Sequence, residues 1–202
     1  MKPLQKEKPM AMRDPDILAP LQSQQVLREK IGWICQGARY AAIVYALWVI
    51  FLQARYWSDL SAINAGYGRL LQRDLSEIGA WQQAGAFGVN LVIWLFVAYA
   101  CYSAWRLFSF YLEGEIFSLA ATKWLRRLAT FGIAAQALAI FTRPLVSVIL
   151  TLHFPPGQRQ RILNIFIQPD DLAILLLLLV LLTLAHIQKS AAEIADDHAQ
   201  FV

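Results

Sequence analysis

The sequence predicts an all-α membrane protein with four transmembrane helices and an outer-face amphipathic helix between the first and the second. Of the 202 residues, 58% are hydrophobic and only 16% are charged, too few to coat a soluble globule of this size. The hydrophobic residues gather in four long runs, and a helix needs roughly 20 residues to cross about 30 Å of hydrocarbon. The chain therefore divides into a tail with a lead-in helix at 1–30 and a four-helix transmembrane domain at 31–202.

The N-terminal region is predicted to lead into the first crossing. Prolines recur through the polar stretch 1–20 and interrupt any regular periodicity, which favours an extended tail. Ser23 is placed to cap a helix. Apolar residues at helical spacing then continue from Val26 into the first crossing, at 33–52.

An amphipathic segment follows the first crossing. Its apolar residues recur at the period of an α-helix, which predicts a helix on the outer face. Gly66 and Gly68 predict a bend in its first half. We interpret this helix as lying on the bilayer surface, with a surface for a partner protein as the alternative. The apolar stripe consists of Leu60, Ile63, Tyr67, Leu70, Leu71, Leu75 and Ile78.

The remaining crossings are predicted at 86–108, 128–152 and 172–187. The third contains Arg143 beside Pro144, and an ionised side chain within a crossing costs at least about 2.5 kcal/mol. We expect Arg143 to snorkel towards water or to bond backbone carbonyls left unpaired by the proline, with a ligand or lipid headgroup as the alternative. Asp170 and Asp171 precede the fourth crossing and suit the N-terminus of a helix.

The distribution of Lys and Arg predicts the orientation, because cytoplasmic loops carry an excess of both residues. Twelve fall on the side of the two termini and five on the opposite side. We therefore expect a bacterial inner membrane protein with both termini in the cytoplasm. The twelve are Lys2, Lys6, Lys8, Arg13, Arg28, Lys30, Arg39, Arg106, Lys123, Arg126, Arg127 and Lys189.

No catalytic constellation occurs in the sequence. The phosphate-binding, serine-hydrolase and zinc-protease signatures are all missing. Cys35 and Cys101 lack the spacing of a redox pair, and topology separates His153 from His186 and His198. We therefore expect no enzyme, no cofactor and no metal site. The net charge of +4 reflects topology rather than direct binding to nucleic acid.

The stretch 111–132 reads YLEGEIFSLAATKWLRRLATFG and resembles the central signature of a bacterial integral membrane family catalogued as domain of unknown function 2975. The C-terminal 186–202 is similar to the family's acidic amphipathic ending, although Lys189 and Ser190 depart from it. The resemblance implies four membrane helices and no known catalysis, and many members look like companions of small helix-turn-helix regulators. The residues that match the central signature are Gly114, Glu115, Ile116, Phe117, Ser118, Leu125, Arg126, Arg127 and Leu128.

This signature also has a direct physical interpretation. Ser118 is placed to cap a helix whose basic residues face lipid headgroups, and the acidic residues before it suit a solvated turn. The segment then sets the depth of the third helix, with a docking surface as the alternative. The candidate interaction or lipid contacts are Arg143, Glu113, Glu115, Phe117, Ser118, Lys123, Arg126 and Arg127.

The predicted function is that of a non-enzymatic accessory protein that packs against a larger membrane complex of respiratory or photosynthetic type. Its partners would be membrane lipid and other membrane subunits. Small or weakly polar residues suited to helix contacts support this prediction. The alternative is a membrane-bound regulator that sequesters a small helix-turn-helix transcription factor on its cytoplasmic face. The small or weakly polar residues are Gly85, Gly88, Ala98, Ser103, Gly132, Ala134, Ala135 and Gln136.

Overall fold

Four long helices make up most of the protein. The computed structural model describes residues 15–116, 118–155 and 167–200, with side chains described within 32–116, 118–155 and 167–194. The long helices are α1 (Pro15–Ser58), α4 (Ala80–Leu112), α5 (Leu119–Thr151) and α6 (Pro169–Gln200), and the short α2 (Leu60–Ile63) and α3 (Arg69–Leu71) lie between α1 and α4. Each long helix contains a stretch long and apolar enough to cross a membrane: Gly32–Ser58, Ala80–Leu112, Leu119–Thr151 and Pro169–Ile194. The protein is therefore an all-α, multi-pass membrane protein, as predicted.

The helices extend beyond the apolar crossings that the sequence marks. α1 begins at Pro15, inside the stretch predicted to be an extended tail. Ser23 consequently lies within the helix, and its predicted role as a cap was wrong. Proline is tolerated in the first turn of a helix because the backbone N–H there has no helical acceptor. Hydropathy finds only the part of a helix that is in hydrocarbon, so it underestimates the length of helices that continue into water.

The long helices pack in chain order. α1 lies along α4, α4 along α5, and α5 along α6. Over the ranges that the structure describes, α1 and α6 do not pack along each other in this way. We call the end where α1 stops and α4 starts the loop end, and the end where α4 turns into α5 the terminal end. The central α4 and α5 are covered on both sides, whereas α1 and α6 each have one long neighbour.

The segment between α1 and α4 differs from the single amphipathic helix that was predicted. A π-helical turn at Asn64–Gly68 joins α2 to α3, and it contains the two glycines where a bend was expected. Gln72 then adopts a left-handed backbone conformation (φ +51°) and ends the helix. Residues 73–79 fold back, because Asn64 accepts a hydrogen bond from the Leu75 backbone N–H at 3.0 Å.

Part of the predicted apolar stripe contacts the protein's own helices. Ile63 and Leu75 are completely buried. They belong to a cluster at the loop end that also contains Trp57, Ala86, Val146 and Leu150. Leu60 and Leu70 remain exposed. The segment therefore covers the ends of α1, α4 and α5, a contact that the interpretation as a surface helix did not include.

Candidate functional site

An ion pair links α5 to α6 within the membrane-spanning part of the protein. Arg143 donates from Nη1 to Asp171 Oδ2 at 2.6 Å and from Nη2 to Asp171 Oδ1 at 2.7 Å. Gln136 donates to Oδ1 at 2.8 Å, and the Gln168 backbone N–H donates to Oδ2 at 2.8 Å. The Asp171 side chain is 4% exposed and that of Arg143 is 34% exposed. The carboxylate thus accepts four hydrogen bonds, which compensate for its burial.

This ion pair gives Arg143 a partner that sequence analysis did not identify. The expected alternatives for Arg143 were water, unpaired carbonyls, or a bound headgroup. Asp171 was expected only to favour the N-terminus of the fourth helix. The available signal was one arginine in an apolar helix followed by an acid at the start of the next apolar helix. Which turns of the two helices lie side by side decides the pairing, and the sequence does not show that register.

A second polar contact closes the loop end. Gln82 is completely buried. Its side-chain oxygen accepts from the Gly79 backbone N–H at 3.0 Å, and its amide nitrogen donates to the Ile149 carbonyl at 3.0 Å. The same nitrogen lies 3.2 Å from His153 Nδ1. The Gln82 side chain therefore bonds a backbone N–H at the start of α4 and a backbone carbonyl in the last turn of α5. This role was not predicted from the sequence.

The turn at the terminal end holds the signature residues. Ser118 caps α5, as predicted, by accepting a hydrogen bond from the Ala121 backbone N–H at 3.1 Å. Gly114 has a φ of +89°, a conformation that residues with a Cβ rarely adopt. Glu113 and Glu115 are exposed at this turn, and Phe117 lies outside the described residues. The turn reverses the chain and fixes where α5 begins.

Aromatic rings and arginines form a band across three helices near the terminal end. Arg39 of α1 lies over Trp105, with its guanidinium 4.8 Å from the ring centre. Arg106 and Arg127 lie over Trp124 at 5.5 and 4.6 Å. Tryptophan and arginine are enriched where helices leave hydrocarbon for the headgroup region. We call this the aromatic band and use it as the mark of the membrane surface at the terminal end.

A basic groove lies between α5 and α6 at the level of the aromatic band. It encloses about 300 Å³. Lys123 and Arg126 of α5 face His186 and Lys189 of α6 across it, and Lys189 forms an ion pair with Glu193 at 3.1 Å. Arg127 is not part of the lining. The remaining lining residues are Leu119, Thr122 and Ala185.

The structure therefore places the predicted site residues in four separate regions, of which the turn at the terminal end holds Glu113, Glu115 and Ser118. Lys123 and Arg126 line the basic groove, Arg127 belongs to the aromatic band, and Arg143 is in the ion pair. His186 and Lys189, on the α6 side of the groove, were not predicted as site residues because they lie about 60 residues from Lys123 in the sequence. In the part of the chain that the structure describes, no three His, Cys, Asp or Glu side chains are grouped so as to hold a metal ion.

Comparisons with known proteins identify the family of this chain. Comparison with curated proteins and with solved structures finds no match. A family model described as protein of unknown function DUF2975 matches residues 36–202. The matched range covers α4, α5 and α6 completely and most of the membrane-spanning part of α1. The chain therefore belongs to the DUF2975 family, the family that its central signature resembles.

Proposed function

We propose that this chain is a non-enzymatic membrane protein that packs against other subunits of a larger membrane complex, with α1 as the contacting helix. The observation that carries this proposal is a pair of small residues on the face of α1 that points away from the other helices described in the structure. The proposal places the protein in a bacterial inner membrane with both termini in the cytoplasm, on the basis of the Lys and Arg distribution.

One face of α1 contacts α4. Cys35 and Trp57 are buried on this face. The Trp94 indole N–H of α4 donates to the Ala46 carbonyl at 3.0 Å, and Arg39 lies over Trp105 of α4. These contacts follow one stripe at helical spacing. The other side of α1 has no long helix of the described chain against it.

The opposite face of α1 begins with Gly37 and Ala41. Both residues are exposed, and a Cβ added at Gly37 would meet no atom within 4 Å. Val44 and Trp48 continue the same face, and both are exposed. Small residues four positions apart allow a second helix to approach closely, which favours association in lipid. We call the recess at Gly37 and Ala41 the notch. A face that contacts only lipid needs no such recess.

α6 provides an internal comparison, since it also has one long neighbour. Its outward face carries Ala173, Leu177, Val180 and Leu184, all exposed. Apart from Ala173 these are branched apolar side chains, which suit contact with lipid tails. The contrast supports α1, and not α6, as the helix that contacts a partner subunit.

The small residues predicted for partner contacts serve mostly within the chain. Ser103 and Ala135 are buried. A Cβ at Gly132 would meet Leu178 Cδ2 of α6 at 2.7 Å, and one at Gly85 would meet Ile149 of α5 at 3.6 Å. These residues therefore mediate helix contacts within the protein, while their predicted contact with a partner complex stays a prediction, and the small residues on α1 had not been singled out.

The proposal is tested by the size of the protein after gentle extraction from its native membrane into lipid nanodiscs. Wild type is expected to run as a complex much larger than the 22.9 kDa chain. Gly37→Leu with Ala41→Leu fills the notch and should return the protein to the size of a single chain. Ala173→Leu makes the same type of change on the outward face of α6 and serves as the matched control.

Two results would overturn the proposal. One is a wild-type protein that runs as a single chain in native nanodiscs. The other is a double Leu variant that remains in a complex of unchanged size. Unfolding followed by tryptophan fluorescence verifies that the variant keeps its fold, which we expect because Leu favours a helix more than Gly does. Reporter fusions to the two termini test the orientation, and both should be in the cytoplasm.

A further inference from the structure

We propose that the basic groove between α5 and α6 binds the phosphate headgroup of an anionic phospholipid. This site is separate from the notch on α1, and the inference does not depend on the proposed function. Three features of the groove carry it: its uncompensated charge, its apolar floor and its position relative to the membrane surface.

The charge of the groove is positive on balance. Lys189 has its charge compensated by Glu193 at 3.1 Å. In the ranges that the structure describes, Lys123 and Arg126 form no ion pair, and both are exposed. Two cations on one side of the groove therefore remain available to an anion. A phosphate between the two helices would lie in the field of both.

His186 lies on the opposite side of the groove. Its Nδ1 lies 2.9 Å from the Leu182 carbonyl, which can only accept, so Nδ1 carries the proton. The histidine side chain is exposed at the groove.

The floor of the groove is mostly apolar, and the hydroxyl of its buried Thr122 is bonded to the Ser118 carbonyl at 3.1 Å. Ala185 is buried beneath it, and Leu119 is half exposed at its edge. One to two turns closer to the hydrocarbon, on the same face of α6, lie the half-buried Leu182 and the exposed Leu179. An acyl chain could follow these side chains into the hydrocarbon while its headgroup stayed at the cations. A soluble phosphate would use only the charged part of this surface.

The position of the groove favours lipid over a soluble acidic protein. Lys123 and Arg126 flank Trp124, which belongs to the aromatic band that marks the membrane surface. Basic pockets between transmembrane helices at this depth suit acidic lipid headgroups. The groove thus places basic residues at the level of the headgroups and apolar side chains towards the hydrocarbon, which matches the headgroup and acyl chains of a phospholipid.

The binding test uses the full-length protein in detergent with short-chain phosphatidylglycerol, and phosphatidylcholine as the neutral comparison. Phosphatidylglycerol should bind at least 10-fold more tightly. Lys123→Gln and Arg126→Gln should each weaken its binding about 5-fold and together about 30-fold, since a basic residue near an anionic surface contributes about 1 kcal/mol. The matched control is Arg127→Gln, which removes a neighbouring cation outside the groove and should change binding less than 2-fold.

Glu193→Gln provides a test by gain of affinity, which a misfolded variant could not mimic. The change frees Lys189 from its ion pair and should tighten phosphatidylglycerol binding about 3-fold to 5-fold. Equal binding of both lipids, or equal losses in Arg127→Gln and Arg126→Gln, would overturn the proposal. So would inorganic phosphate competing at the same concentration as the lipid, which would indicate a soluble anion, or a poly-glutamate peptide displacing it, which would indicate an acidic protein.

Discussion

The ion pair between Arg143 and Asp171 gives the most decisive test of how α5 and α6 are held together. Asp171→Asn keeps the size of the side chain but replaces an acceptor oxygen by an amide that donates. One of the donors from Arg143, Gln136 and the Gln168 backbone would then face another donor. The guanidinium would also lose its counter-charge in a region where Asp171 itself is only 3% exposed.

The expected loss in the free energy of unfolding can be estimated from the exposed fractions of the two side chains. Removing one partner of a fully buried pair destabilises a protein by about 3–5 kcal/mol. The Arg143 side chain is 34% exposed, so solvent and headgroups screen part of its charge, and we expect about 2–3 kcal/mol for Asp171→Asn. Arg143→Leu together with Asp171→Leu removes both charges and should cost about 1 kcal/mol or less, because apolar replacements of buried ion pairs are often neutral.

Equilibrium unfolding in mixed micelles with increasing sodium dodecyl sulfate, followed by tryptophan fluorescence, measures these free energies. The single variants Arg143→Leu and Asp171→Leu complete a double-mutant cycle with the variant that carries both changes, and we expect the coupling energy between residues 143 and 171 to exceed about 1 kcal/mol. Costs that simply add in the double variant would refute the reasoning, as would a loss below about 0.5 kcal/mol for Asp171→Asn. Either result would mean that the two charges do not stabilise each other.

Substitutions at three further positions test contacts elsewhere in the protein. Gln82→Leu should lower the free energy of unfolding by about 1–3 kcal/mol, because it removes the hydrogen bonds of a buried side chain to the Gly79 backbone N–H and the Ile149 carbonyl. Gly132→Ala should cost less than about 1 kcal/mol in the same assay, since only a terminal methyl of Leu178 must move, whereas Gly132→Leu should cost about 1–3 kcal/mol. Hydrogen bonds from Ser61 lower the pKa of Asp59 from its ordinary 3.8; their stabilisation is therefore present above that value and lost as the pH falls through the lowered pKa. Ser61→Ala should raise this pKa towards 3.8 in a carbon-13 NMR titration.

Local sequence patterns were sufficient to predict the number of membrane helices. Four apolar runs gave four helices, and Ser118 before the third gave its cap. Both depend on residues that are neighbours along the chain. Helix ends were harder to place, because α1 continues to Pro15 through polar residues that are compatible with a helix in water. The sequence shows where hydrocarbon ends more clearly than where a helix ends.

Contacts between distant elements were not predictable in the same way. The partner of Arg143 depends on the register of α5 against α6, and the groove residues on α5 and α6 come together only when those helices pack. The apolar stripe after α1 had the period of a helix as far as Ile78. The left-handed Gln72 ended the helix earlier, and Leu75 was buried from a loop instead. The spacing of the apolar residues could not show whether Leu75 would be buried from a helix or from a loop.

The start of α6 has a consequence for the surrounding bilayer. Asp171 is bonded to Gln136 and Arg143, which lie 15 and 8 residues before the last residue of α5, or roughly 22 and 12 Å of helix. The apolar run of α6 from Leu172 to Ile187 is only about 24 Å long, less than the roughly 30 Å of hydrocarbon in an ordinary bilayer. α6 completes a crossing only when Asp171 and its ion pair also lie inside the hydrocarbon, as they do in the Pro169–Ile194 stretch that is long enough to span. The pairing with Arg143 therefore lets the fourth helix cross an ordinary bilayer without thinning the lipids beside it.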